Sequence, residues 1–268
     1  MINALFILFF KFENLYIYYI KMCEFLPEFT RAIVASYLMR DDICGNELRK
    51  HCNNIIIKDM RNGNTYKNGV LHSFEDEPAS NKITCKEWYK DGVLNREGLP
   101  ARITLNHIDG RLFEYYYYNG EIHREDGPAI KEYCISEEYY DNLHEKKLSI
   151  DQIQKRHFNL YKEYWVINNK KHRDDEPAEI HYSADGVELK YIWYQNGKKH
   201  RSDDSPAEVH CFPNGNIYML KWYTHGKIHR ENDMPSLVIY NSEGMIIKQK
   251  YYINNTFHRE YTIGEANE

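Results

Sequence analysis

Histidine, arginine and acidic residues recur together along this chain, and these residue types can carry acid–base or metal chemistry. The stretch WYQNGKKHRSDDSPAEVH at 193–210 returns twenty-nine residues later as WYTHGKIHRENDMPSLVI. Imidazole and carboxylate groups that converge in one place serve as general bases or as metal ligands. The histidines of the recurring pattern are His72, His123, His172, His200, His229 and His258. The arginines at the next position are Arg96, Arg124, Arg173, Arg201, Arg230 and Arg259.

The repetition itself argues against catalysis. An active site needs unlike residues that converge once, whereas near-identical residues recur here in copy after copy. Two copies also lack part of the set, because Asn95 stands in place of His and Ser73 in place of Arg. The chain has no GxSxG, P-loop, GxGxxG or HExxH motif. We therefore expect a structural role for these residues, and no enzyme activity, catalytic residue or cofactor.

A zinc site is a second chemical alternative. His51 and Cys52 adjoin each other, and Cys44 lies upstream, but a fourth ligand at suitable spacing is missing. The six cysteines include no CxxC pair, which is typical of reduced cytosolic thiols rather than of a disulfide framework. We therefore expect no metal, and a cytoplasmic location.

Tight turns must position the recurring residues. In each copy an aromatic residue, or Val166 in one case, is followed after one intervening residue by two residues that tolerate positive φ, which favours a two-residue hairpin. The seven turns are Asn68-Gly69, Asp91-Gly92, Asn119-Gly120, Asn168-Asn169, Asn196-Gly197, His225-Gly226 and Asn254-Asn255. Counting outward from a turn fixes which residues face each other across the hairpin.

That register places an aromatic residue opposite the histidine position in six copies, and Thr65 in the first. Trp193, for example, opposes His200, and Tyr251 opposes His258. We expect the histidine to stack on the aromatic ring, and the arginine fork to bind carboxylates of the acid-rich bend in its own or an adjacent copy. The aromatic residues are Trp88, Tyr116, Trp165, Trp193, Trp222 and Tyr251.

The rest of each repeat is a strand and a second turn. A proline ends the acid-rich bend, and the next strand alternates, as with Ala207, Val209 and Cys211 on one face. The sequence thus predicts a mainly β protein of about seven tandem β-hairpin repeats, with a period of about 28, stacked into an extended or twisted sheet or a solenoid. This array covers 61–262, and a short C-terminal tail at 263–268 follows it.

Two segments depart from the repeat. Residues 134–160 form an insertion in which Leu148, Ile150, Ile153 and Phe158 have the spacing of a short helix. Residues 22–60 form a small helical region, where Pro27 lies near a start and Ile33, Tyr37 and Leu38 belong to an apolar stripe.

The first 21 residues are apolar, but Lys11 interrupts the run after ten residues, too early for a span of a bilayer. No basic region of a secretory signal precedes the run. Residues 1–21 are then either a partly buried strand or helix, or an extension upstream of a start at Met22, which we favour. A membrane contact stays open. A nucleic-acid partner is not expected, because the formal net charge is -5 and no dense block of Lys and Arg occurs.

The strings NGEIHREDGPA at 119–129 and NNKKHRDDEPA at 168–178 resemble the MORN-like repeats of large DNA viruses of protists and of some phages. Arg stands here where Gly is usual after the histidine. The resemblance covers about residues 62–262 and implies scaffolding, or protein and lipid contacts, rather than a reaction, in a host cytoplasm or a virion.

A second resemblance lies at the N terminus. The segment LPEFTRAIVASYLMRDD is similar to the opening of an F-box, which docks an adaptor of a ubiquitin ligase. This resemblance implies adaptor contacts by Leu26, Pro27, Ile33, Tyr37 and Leu38, with the repeats binding a substrate. A helical cap that shields the first repeat is the alternative.

Overall fold

A computed structural model of the chain describes residues 17–21, 56–59 and 63–263. Strands and tight turns make up most of this part, as predicted. Thirteen strands form one antiparallel sheet in the order β27-β26-β25-β22-β21-β18-β17-β14-β13-β10-β9-β6-β5. Their bounds are β5 Ser80–Lys82, β6 Cys85–Glu87, β9 Arg102–Asn106, β10 Arg111–Tyr115, β13 Ile130–Ile135, β14 Phe158–Tyr164, β17 Glu179–Tyr182, β18 Glu188–Ile192, β21 Glu208–Cys211, β22 Ile217–Lys221, β25 Leu237–Tyr240, β26 Ile246–Ile253 and β27 Thr256–Thr262. The predicted array of hairpins therefore forms one antiparallel sheet.

Short hairpins connect successive pairs of sheet strands. Five of them are β7 Tyr89–Lys90 with β8 Val93–Leu94, β11 Tyr117–Tyr118 with β12 Glu121–Ile122, β15 Val166–Ile167 with β16 Lys170–Lys171, β19 Tyr194–Gln195 with β20 Lys198–Lys199, and β23 Tyr223–Thr224 with β24 Lys227–Ile228. The first hairpin, β3 Asn64–Lys67 with β4 Val70–Leu71, belongs to a four-stranded sheet with β1 Ile17–Lys21 and β2 Ile56–Asp59. The last hairpin is formed by β26 and β27.

All seven predicted turns are confirmed. Both residues of each turn have positive φ, for example 49° at Asn196 and 81° at Gly197. The register also agrees in the inner copies, since Tyr194 pairs with Lys199 and Gln195 with Lys198. A two-residue turn with this twist matches the twist of the flanking strands, so local sequence suffices to fix it.

The second turns close the repeats at the other end of the sheet strands. Gly186, Gly215 and Gly244 have φ between 79° and 85°, and the strands shift register by one residue beside each of these turns. These are hairpins with a bulge, in which a single glycine supplies the left-handed conformation.

The insertion contains a helix, but not where the sequence predicts one. Helix α1 spans Glu137–Lys146, with Leu143 fully buried, and ends at Lys147, whose φ is 46°. The short helix predicted around residues 148–158 is reduced to one 3-10 turn at Lys155–His157, and the rest of the segment is not helical because it is held by tertiary contacts. The Ile150 N–H donates to the Ile83 carbonyl at 3.1 Å. Phe158 begins β14 and is buried.

Cα packing divides the chain into two compact units. Unit 1 comprises Met1–Thr104, Tyr117–Gly120 and Leu148–Gln152, and unit 2 comprises Leu105–Tyr116, Glu121–Lys147 and Ile153–Glu268. Within the described residues, Ile17–Lys21 form a strand, which is one of the alternatives for residues 1–21. In the same part of the chain, no helix has the length and apolarity that a membrane crossing requires.

The core begins at the residue that follows the proline at the start of each repeat's sheet strand. The residue after proline has no exposed surface in any of six copies, and its carbonyl accepts the N–H of the aromatic position, at 2.8 Å between Ala207 and Trp193. The six residues are Ala79, Ala101, Ala129, Ala178, Ala207 and Ser236. Ile180, Val209 and Val238, on the predicted core face, are buried two residues further on. The residues between them, Glu179, Glu208 and Leu237, are buried as well, so both faces are covered where these strands begin.

Candidate functional site

Successive hairpins are joined to one another through their turns. The second turn residue donates its N–H to a carbonyl of the preceding hairpin, at 2.8 Å from Gly197 to Lys171 and from Gly226 to Lys199. The contact recurs in unit 1, where Gly92 donates to Leu71 at 2.8 Å. The acceptor carbonyl belongs to the preceding repeat, so each turn is stabilised by the repeat before it.

The recurring histidines take part in the same junction. His172 Nδ1 lies 3.4 Å from the N–H nitrogen of Asn196, the first turn residue of the next copy, and His229 Nδ1 lies 3.4 Å from that of Asn254. In unit 1, His72 Nδ1 lies 3.1 Å from the Asp91 nitrogen. In these copies the histidine Nδ1 is placed to accept a hydrogen bond from the turn of the next repeat.

The arginine, rather than the histidine, covers the face of the aromatic ring. In Arg201 the guanidinium carbon lies 4.0 Å from the ring centroid of Trp193, and the distance is between 3.9 and 4.1 Å in all six copies. The predicted stacking partner was therefore wrong by one residue. A guanidinium binds an aromatic face through its positive charge and its planar shape, whereas the imidazole is drawn to the next turn. The six pairs are Arg96–Trp88, Arg124–Tyr116, Arg173–Trp165, Arg201–Trp193, Arg230–Trp222 and Arg259–Tyr251.

The same arginines bind carboxylates of the acid-rich bends, as predicted. Arg96 forms two hydrogen bonds of 2.8 Å with Asp76 of the preceding copy, and Arg230 donates to Asp204 of its preceding copy at 3.0 Å. Arg124 instead binds Asp126 in its own bend at 2.7 Å. Both kinds of contact occur, and the first kind links adjacent repeats.

The seventh copy departs from the predicted register. Tyr251 pairs with Arg259, and the register shifts between Tyr251 and Tyr252, so the expected pairing of Tyr251 with His258 is wrong. This copy has no proline-ended bend, and its chain runs on as the long strand β27. A bulge at His258 then takes the place of the bend.

Buried glutamates are the residues that the sequence analysis missed. Glu208 is 2% exposed, and its carboxylate accepts from His210 Nε2 at 2.6 Å and from Lys199 Nζ at 2.5 Å. Glu179 repeats this arrangement one copy earlier, with His181 at 2.6 Å and Lys171 at 2.5 Å. The available signal was the Glu-x-His pair after Pro-Ala in PAEIH at 177–181 and PAEVH at 206–210, since period two places Glu and His on one face.

These contacts hold both carboxyl groups ionised. Burial raises the pKa of Glu179, but hydrogen bonds from His181 and Lys171 outweigh it and lower that pKa to about 2. Burial likewise raises the pKa of Glu208, and hydrogen bonds from His210 and Lys199 bring it well below its usual range. A carboxylate held ionised so far below neutral pH is a weak base, which suits a structural role better than proton transfer.

One junction differs from the others. The first turn residue after His200 is His225, and the two imidazoles stack with centroids 4.4 Å apart. His200 Nδ1 and Trp193 Nε1 are buried without a hydrogen-bond partner, whereas Trp222 Nε1 donates to the Asp204 carbonyl at 2.9 Å. The fifth copy therefore lacks two hydrogen bonds that the sixth copy has, one from the indole and one at the imidazole Nδ1.

The insertion contributes a polar cluster of its own. Glu114 is buried and accepts from the Tyr133 hydroxyl at 2.9 Å and from Lys155 Nζ at 2.7 Å. Burial, and then the charge of Glu114, raise the pKa of Tyr133 well above its usual range. Lys155 precedes β14 in the insertion, so this cluster fastens the insertion to the sheet strands β10 and β13.

Several predicted residues lie outside the described part of the chain. They are the possible adaptor-binding residues Leu26, Pro27, Ile33, Tyr37 and Leu38 and the possible zinc ligands Cys44, His51 and Cys52. Between residues 63 and 263, no group of three His, Cys, Asp or Glu side chains is placed to hold a metal ion. The thiols of Cys85, Cys134 and Cys211 are free.

Comparison with known proteins assigns no family. The sequence matches no protein-family model, and no curated protein matches it.

Proposed function

We propose that this chain is a non-enzymatic repeat protein that acts as a protein-interaction scaffold in the cytoplasm. If the resemblance to viral repeats reflects its origin, the location would be a host cytoplasm or a virion. One observation carries this proposal. The imidazole, guanidinium and carboxylate groups that could do chemistry contact a neighbouring repeat in copy after copy. Their regularity supports a framework that displays a surface, and a framework of this kind serves binding.

The test compares equivalent histidines in the full chain. His229 is buried, and its Nε2 lies 2.7 Å from Glu231, while His172 Nε2 lies 3.3 Å from Asp174. His172→Ala and His229→Ala should each lower the free energy of unfolding by about 1 kcal/mol or somewhat more, because each removes a junction hydrogen bond. Urea unfolding followed by tryptophan fluorescence measures this loss.

Partner binding is the second measurement. The full chain, tagged and immobilised, should retain a protein partner from a eukaryotic lysate with saturable stoichiometry, and either histidine variant should retain it equally while folded. An activity on that partner that disappears in only one of the two variants would contradict the scaffold and indicate a catalytic site. Loss of a ubiquitin-ligase adaptor in the double variant Leu26→Ala, Pro27→Ala would identify a substrate receptor instead.

A further inference from the structure

Three consecutive repeats of unit 2 carry a lysine at the same place. Lys170, Lys198 and Lys227 each follow the second turn residue of a hairpin, and all three are exposed. None of them forms a salt bridge with another residue of the described chain. We call these three residues the lysine row. Their neighbours Lys171 and Lys199, by contrast, are neutralised by buried glutamates.

Packing alone does not require the charge of the lysine row. The Lys198 stem lies against Gly226 of the next turn, where an added Cβ would be 3.6 Å from the Lys198 Cβ. In unit 1, Val70 and Val93 cover the next turn from the same position. An aliphatic residue therefore satisfies this contact, and the three ammonium groups add only charge.

The same three repeats carry a second row, of opposite sign. The bend of each repeat projects carboxylates, and the side chains of Asp174 and Glu231 are 90% and 79% exposed. We call these residues the acidic row: Asp174, Asp175, Glu176, Asp203, Asp204, Glu231 and Asp233. Arginines pair with Glu176, Asp204 and Asp233, and histidines lie beside Asp174 and Glu231, whereas Asp175 and Asp203 have no ion pair within 4.0 Å among the described residues. The lysine row binds none of these carboxylates within its own chain.

The two rows share one spacing, because the same repeat generates both. Lys170 and Asp174 are four residues apart, so the rows are separated by at most about 14 Å. A positive row beside a parallel negative row of equal spacing is self-complementary. A two-fold rotation brings the lysine row of one molecule onto the acidic row of another, and at the same time the reverse.

We propose that a second copy of this chain docks along these rows, forming a two-fold dimer in which the lysine row of each copy faces the acidic row of the other. Exposed ion pairs are individually weak, so a single pair would not hold two molecules together. Three repeats of matched charge act together and set the register between the copies. Self-association needs no foreign partner, so its failure would leave the scaffold proposal standing.

Salt and charge reversal test the dimer in the full chain. Charges are screened beyond about 10 Å at 0.1 M salt and beyond about 3 Å at 1 M. Sedimentation velocity should therefore show a dimer at 0.1 M and a monomer at 1 M. The triple variant Lys170→Glu, Lys198→Glu, Lys227→Glu should weaken dimerisation at least about tenfold.

A matched control separates the rows from net charge. Lys82→Glu, Lys90→Glu, Lys146→Glu makes the same change in net charge at exposed lysines outside the lysine row, and it should leave the dimer intact.

Neutralising the other row should repeat the effect of the first triple variant. Asp174→Asn, Asp203→Asn, Glu231→Gln removes carboxylates, and asparagine tolerates the φ of 71° at position 203.

Carbodiimide coupling of a mixture of isotopically light and heavy protein tests the contact directly. Links from the lysine row to the acidic row should appear between light and heavy chains. A wild-type protein that is monomeric at 0.1 M salt would overturn the proposal. A dimer that loses as much affinity in the control triple as in the lysine-row triple, or that gives no light–heavy links between the rows, would overturn it too.

Discussion

Replacing Glu179 by glutamine isolates the contribution of one buried charge of the sheet. The substitution keeps the size of the side chain and removes its charge, which leaves Lys171 and His181 beside a neutral amide. Glu179 is 7% exposed, so water compensates little of that loss.

The magnitude follows from the pKa. The value for this carboxyl falls from 4.5 to about 2 in the folded chain. Each pKa unit corresponds to about 1.4 kcal/mol, so the ionised form stabilises the fold by about 3 kcal/mol at neutral pH. Because the folded pKa lies below the unfolded one, this stabilisation is complete above about pH 4.5 and disappears as the pH falls towards 2.

Urea unfolding followed by tryptophan fluorescence measures the effect. At pH 7, Glu179→Gln should lower the free energy of unfolding by about 3 kcal/mol, and the difference from wild type should shrink between pH 4.5 and pH 3. The control is Glu121→Gln, which changes an exposed carboxylate of a hairpin and should cost less than about 0.5 kcal/mol. Equal losses in the two variants, or a difference at Glu179 that does not change with pH, would refute the reasoning.

Three further substitutions test packing and the junctions, each by thermal or urea unfolding. Gly110→Ala should cost about 1–3 kcal/mol more than Gly186→Ala, because both positions have positive φ but only at Gly110 would the new Cβ lie 2.5 Å from a neighbouring side chain; equal costs would contradict this. Ala207→Leu should cost about 1–3 kcal/mol or more, because Ala207 is fully buried and a larger side chain must displace its neighbours, and a stable variant would show the strand to be loosely packed. Trp222→Phe should cost about 1 kcal/mol more than Trp193→Phe, because only the Trp222 indole donates a hydrogen bond, and the reverse order would be incompatible with the junctions described above.

Much of the fold was predictable because its rules are local. A pair such as Asn196-Gly197 determines a turn from two residues, and the turn then sets the pairing of Tyr194 with Lys199. Repetition of this pattern along the chain identified the hairpin array and assigned the His–Arg pairs to structure. The same local rules could not predict the hydrogen bond of Ile150, because its partner Ile83 is distant in sequence.

The partners of the polar groups depended on the tertiary structure. A sequence shows that Arg201 and His200 are adjacent, but only the packed repeats place the guanidinium on Trp193 and the imidazole against the next turn. The burial of Glu179 and Glu208 likewise depends on tertiary packing, because Lys171 and Lys199 of the hairpins contact these carboxylates of the sheet. A strand pattern determines which face of the sheet a residue occupies but not which side chains cover that face. Turn type and register are properties of a few consecutive residues, whereas burial and charge pairing are properties of segments brought together from different repeats.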